Sequence, residues 1–133
     1  MSRDKKKSPF KKHETGYHKA AVETLARWVD GVAEQPFMVD GSIVFVPDVT
    51  CYKNGVLDCI YEVVYSHPLT GKKIGMIEYW SYLNSTPLTV FEVSHHFILK
   101  QTEKPERIET LECYIIDPLI MPEVEDDEKL KVA

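Results

Sequence analysis

The sequence predicts a single α/β domain in which a mixed sheet with a β-hairpin at its centre is flanked by helices. Three stretches predict it. Residues 17–32 repeat apolar side chains at helical spacing. Residues 45–67 read as two apolar, β-branched strands folded about Asn54-Gly55, a dipeptide that accepts the positive φ angles of a tight hairpin. Residues 70–94 give a helix and then a β-rich run, and a strand that follows a helix commonly lies parallel to the strand before it. A chain of 133 residues is long enough for one core and too short for two.

Thr15 is placed to cap a first helix running to about Asp30, with Tyr17, Ala20, Ala21, Leu25, Trp28, Val29 and Val32 toward the sheet. Glu23 lies at the edge of that stripe. His18 falls in the first turn, four residues after Glu14, where it serves either a local ion pair or a substrate phosphate. Residues 36–39 and 42–46 read as short strands around Asp40-Gly41. After the central hairpin, residues 67–71 form a turn punctuated by Pro68 and Gly71. A second helix starts at Thr70 or Gly71 and runs to about Leu83, with Ile74, Ile77, Trp80, Tyr82 and Leu83 on its apolar side. Lys72 and Lys73 occupy its first turn, against the helix dipole, which suggests a nearby acid cluster or phosphate. Residues 89–94 form a strand carrying Glu92 and ending at His95 and His96, the histidines being rim residues on opposite faces. Residues 108–116 form a last strand, in a hairpin with residues 97–101.

Charge divides the chain into three parts: a basic arm (1–13), the domain (14–117) and an acidic tail (118–133). Residues 1–12 carry six Lys/Arg against one Asp, a net of +5, and residues 117–133 carry six Asp/Glu against two Lys, a net of −4. The arm, with Lys5, Lys6, Lys7, Lys11 and Lys12, has the composition of a solvated tail and also the charge to hold nucleic acid phosphates without sequence preference. No apolar run reaches the length of a membrane span, and no apolar stretch follows the basic N-terminus as in a signal peptide. Cys51, Cys59 and Cys113 form no CxxC pair, which fits a reducing intracellular compartment, cytoplasm or nucleus, and not secretion.

Into the apolar hairpin the sequence sets two acids, Asp48 and Glu62. A carboxylate in a core strand is costly unless paired, hydrogen-bonded or bound to metal. Register decides whether the two can cooperate. If Cys51 faces Cys59, Asp48 faces Glu62; a three-residue loop with a glycine bulge leaves them diagonal on one face; a plain two-residue turn sends them to opposite faces. Acids on one face would need a compensating cation, and a hard divalent ion held by carboxylate oxygens would supply it. The bland alternative is that Asp48 caps a turn after Pro47 and Glu62 is solvated.

Pro47-Asp48, then a hairpin, then Glu62-Val63-Val64 resembles the PD-(D/E)XK nuclease superfamily. The wider order, from Glu14-Thr15-Gly16-Tyr17-His18-Lys19 to Ile60-Tyr61-Glu62-Val63-Val64-Tyr65-Ser66-His67-Pro68, resembles the nuclease-like domain of CoiA-type competence proteins over residues 14–93. The resemblance implies a restriction-endonuclease-like core. It implies Mg²⁺ or Mn²⁺ held by Asp48, Glu62 and the carbonyl of Val63, with Glu23 assisting from the first helix. The motif lysine is replaced by Val64, so Lys72 or Lys73 is expected to reach back in its stead, with His67 also near.

Two functions follow from the resemblance. The first is a metal-dependent nuclease acting on phosphodiesters, DNA being the expected substrate, as a homodimer or within a larger complex and with no membrane role. The second, favoured by Val64, is a catalytically inactive module of the same fold that binds nucleic acid or a protein partner. A third reading, independent of the resemblance, is a small α/β interaction protein whose acids are structural and whose Tyr52, Tyr61, Tyr65 and Tyr79 line a contact surface.

Overall fold

A computed structural model describes residues 16–65 and 69–120. The arm lysines Lys5, Lys6, Lys7, Lys11 and Lys12, the residues Thr15 and His67, and the acidic run 123–128 lie outside the described residues. Three helices are present among the described residues: α1 (Gly16–Val29), α2 (Gly71–Asn84) and α3 (His95–Leu99). The strands are β1 (Val32–Ala33), β2 (Phe37–Val39), β3 (Ser42–Phe45), β4 (Val49–Lys53), β5 (Val56–Val64), β6 (Leu88–Ser94) and β7 (Glu112–Ile116). Five of them form one sheet in the order β1-β4-β5-β6-β7, and β2 pairs with β3 separately. β5 and β6 are parallel and the other neighbours antiparallel, so the sheet is mixed.

The hairpin explains the register. Asn54 (φ 53) and Gly55 (φ 79) both take positive φ and turn the chain in two residues, pairing Lys53 with Val56. That turn alone would set the acids on opposite faces. The pairing shifts beyond Tyr52–Leu57, where Asp58 is the extra residue, and Cys51 then faces Cys59, Thr50 faces Ile60 and Val49 faces Tyr61. The next opposed pair is Asp48 and Glu62. The bulge therefore undoes the parity of the turn.

Side-chain alternation on the sheet gives two cores. One face packs α1 and α3, with Leu25, Val49, Val63, Val93 and Ile98 buried among them. The other packs α2 and the β2–β3 hairpin over Ile60, Ile77, Leu88, Val90 and Ile116. There the rings of Phe37, Phe45 and Trp80 pack at tilted and edge-on angles, and the Trp80 indole N–H donates to the Met38 carbonyl at 3.2 Å. No helix among the described residues is long and apolar enough to cross a membrane.

Helix ends have local causes. α1 stops at Asp30 in the left-handed region, with the Asp30 and Gly31 N–H groups returning to the Arg27 and Ala26 carbonyls. Gly31 is then forced by packing, because a Cβ there would meet Val49 Cγ1 at 2.7 Å and the Thr50 carbonyl at 2.9 Å. α2 starts at the Thr70 cap, whose hydroxyl accepts from the Lys73 N–H, and ends at Ser85 before Pro87.

Three expectations are corrected. α1 buries Ala21, Val22, Leu25 and Ala26, while Tyr17 is 71% exposed; the stripe is turned toward Val22 and Ala26. α2 buries Ile77 and Ser81, four residues apart on one side of the helix, and leaves Tyr82 and Leu83, which turn away from that side, exposed. Residues 97–101 form no strand. Ser94 caps α3 by accepting from the His96 and Phe97 N–H groups, so His95 and His96 open a helix, and β7 pairs with β6 instead, starting at Glu112.

Candidate functional site

The acids meet at the end of the β4–β5 ladder. Asp48 Oδ2 accepts the Val63 N–H at 2.7 Å, and Glu62 Oε2 accepts the Asp48 N–H at 3.2 Å. Each carboxylate thus accepts a backbone N–H from the opposing segment of the hairpin. The register sets Pro47 opposite Val63, and proline has no N–H to give. In an extended strand the Val63 carbonyl points to the same edge as its N–H, so it faces Asp48 without a strand partner from Pro47.

A lysine and a histidine complete the cluster from the flanking helices. Lys73 Nζ donates to Glu62 Oε1 at 3.1 Å and lies 3.5 Å from the Val46 carbonyl. Its place in the first turn of α2, unfavourable for the helix dipole, is thereby offset by an acid. His18 Nε2 lies 3.5 Å from Asp48 Oδ1. Four elements converge here: α1, the residue leading into β4, β5 and α2. They meet where the parallel pair β5–β6 ends, the usual location of ligand sites in α/β sheets.

Electrostatics mark Glu62. It is 3% exposed, and burial, then the Asp48 charge, push its carboxyl up to about 7 from an ordinary 4.5, against the opposing pull of Lys73 and the Asp48 N–H. A carboxyl that titrates near neutrality inside a cluster of opposite charges is a feature of functional sites.

Sequence-derived candidates separate into those brought together and those left apart. Asp48, Glu62, Val63, Lys73 and His18 form the cluster. Lys72 is exposed, because a helix starting at Gly71 turns position 73 and not 72 toward the sheet. Glu23 is exposed too, away from the buried side of α1, and His18 is the α1 side chain that reaches the acids. Val64, two residues after Glu62, is buried. His67 lies outside the described residues.

Two residues escaped sequence reasoning. Glu92 pairs in register with Glu62 on the neighbouring strand and is 1% exposed. Its Oε2 accepts from the Leu69 N–H and the Tyr114 hydroxyl, both at 2.9 Å. The signal that could have found it is alternation, which sets Glu92 on the same face as the buried Leu88 and Val90. His95 packs its ring edge-on against Tyr65 at 4.1 Å, and burial, then His18 and His96, lower its pKa.

The donors suit a hard divalent cation, since both carboxylates and the Val63 carbonyl offer oxygen. Among the described residues no group of three or more His, Cys, Asp or Glu side chains could hold a metal ion. An ion bound here would have two carboxylate ligands and would draw the rest of its shell from backbone and water, as Mg²⁺ commonly does. Comparison of the chain with models of known families, with curated proteins and with solved structures finds no match in any of the three.

Proposed function

We propose that this chain is a metal-dependent nuclease with a restriction-endonuclease-like core of the PD-(D/E)XK kind. The observation that carries the reading is Lys73, whose ammonium stands 3.1 Å from Glu62 on the same face as Asp48. It offers the charge that Val64 cannot, from a helix instead of the strand. Asp48, Glu62 and the Val63 carbonyl would hold Mg²⁺ or Mn²⁺, which lowers the pKa of a bound water and polarises a phosphate. Lys73 balances the negative charge that grows on the phosphate oxygens. His18 keeps Asp48 oriented and contacts the substrate phosphate beside it. The basic arm supplies sequence-independent attraction to nucleic acid, with DNA the expected substrate, and assembly is as a homodimer or within a larger complex. Three free cysteines, two of them opposed across the hairpin, suit a reducing intracellular compartment.

The test is cleavage of single-stranded, duplex and branched nucleic acids with Mg²⁺ or Mn²⁺. Cleavage that requires metal, Asp48, Glu62 and Lys73 supports the reading. Metal binding without cleavage on any substrate supports the second one, a catalytically inactive module that binds nucleic acid or a protein partner. One observation favours that alternative: each carboxylate oxygen of Asp48 and Glu62 already has a protein partner, as in a structural cluster.

A further inference from the structure

We propose that Glu92 is a positioning residue that sets Lys73 against Glu62. The proposal rests on the reading of Asp48, Glu62 and Lys73 as one site. Glu92 is a buried carboxylate within β6, a place where an acid is costly unless its hydrogen bonds are put to use. They go to the structure that launches α2. Oε2 accepts the Leu69 N–H, and the next residue, Thr70, is the cap of α2. Thr70 in turn receives the Lys73 N–H on its hydroxyl and the Ile74 N–H on its carbonyl. The chain of bonds therefore runs from the sheet through Leu69 and Thr70 to the backbone of Lys73.

Two details make the anchor firm in one direction. The Tyr114 hydroxyl on β7 donates to the same Oε2 and fixes it from the other side. Oε1 is buried and has no hydrogen-bond partner among the described residues, so the anchoring falls on Oε2 alone.

The test is a pH titration of the Glu62 side-chain carboxyl by carbon NMR in the full chain, with cleavage assays beside it. Lys73 lowers the Glu62 midpoint, so a displaced Lys73 raises it. Glu92→Ala and Glu92→Gln both remove the carboxyl, but only Gln keeps an oxygen for Leu69 and Tyr114. The expected result is a Glu62 midpoint higher in Glu92→Ala than in Glu92→Gln by about half a pH unit. Tyr114→Phe, which keeps the carboxyl and loosens the anchor, raises the midpoint above wild type. In cleavage, Glu92→Ala lowers kcat more than it changes KM, and Glu92→Gln restores most of it. Equal midpoints in the Ala and Gln variants, with Tyr114→Phe unchanged, would overturn the proposal. If Glu92→Ala does not fold, Tyr114→Phe decides alone: a raised midpoint supports the proposal and an unchanged one overturns it. A wild type without cleavage counts against the nuclease reading, while the titration still judges Glu92.

Discussion

Lys73 and Glu62 are separated by 11 positions in the chain and by 3.1 Å in space. The contact joins the first turn of a helix to the middle strand of the sheet, and it is the only way the described residues give Glu62 a side-chain cation. Lys73→Ala is therefore expected to reduce metal-dependent cleavage by about 10²–10³-fold, the size of a lost transition-state charge contact. Lys72→Ala, at an exposed position, should stay within about threefold of wild type. Steady-state assays of the two variants side by side check this; equal losses would count against it.

The buried carboxyl of Glu62 gives the fold a pH dependence of known sign. Its folded pKa, about 7, lies above its ordinary 4.5, so the folded state binds the extra proton between those values. Stability then falls as pH rises from about 4.5 through 7, and the cost is fully present above 7. Glu62→Gln removes the ionisation. The variant is expected to be more stable than wild type at pH 8, by up to about 3 kcal/mol, and nearly equal at about pH 4.5. Urea unfolding at the two pH values measures the difference.

Cation binding should follow the same proton. Binding to the Asp48 and Glu62 side chains releases the proton that Glu62 holds near neutrality, so Mn²⁺ affinity is expected to rise as pH increases through about 7. Calorimetry in buffers of different ionisation enthalpy would read release of close to one proton at about pH 6 and little at about pH 8. Asp48→Asn should abolish the binding.

Asp58 carries the parity of the hairpin, and deleting it is a direct test. Without the extra residue, the Asn54-Gly55 turn forces either Glu62 to the other face or the hairpin to open. The expected result is loss of Mn²⁺ binding together with a lowered Tm, whereas Asp58→Ala, which keeps the length, should bind normally. Titration calorimetry and thermal unfolding of both variants are enough.

Much of this architecture is legible in the sequence. Helical spacing places α1 and α2 within a residue or two, and Asn54-Gly55 marks the turn because few dipeptides tolerate its φ angles. The register stays open in the sequence because the bulge sits at Asp58, a polar residue like many others near a strand end. Lys72 and Lys73 cannot be told apart until Thr70 fixes the helical phase, since a shift of one residue rotates a side chain by about 100°. α3 is hidden for a different reason. Five residues are too few to show a period, and the capping bonds of Ser94 outweigh the strand-like composition of residues 97–99. Glu92 is visible in the chain only as an acid in an apolar run; its bonds to Leu69 and Tyr114 join segments distant in the chain, and no local pattern announces them.

The parallel pairing of β5 with β6 has a consequence for how the molecule assembles in time. Asp48 and Glu62 belong to one hairpin, which closes locally, whereas Lys73 arrives only when α2 has crossed over and β6 has docked. Long-range parallel pairing is the slower event. A chain that has made the hairpin but not the crossover holds two neighbouring carboxylates with no ammonium between them. With no lysine to oppose it, Glu62 holds its proton more firmly still, so refolding should quicken as the solution is made mildly acidic, and the crossover loosens that proton without displacing it below about pH 7.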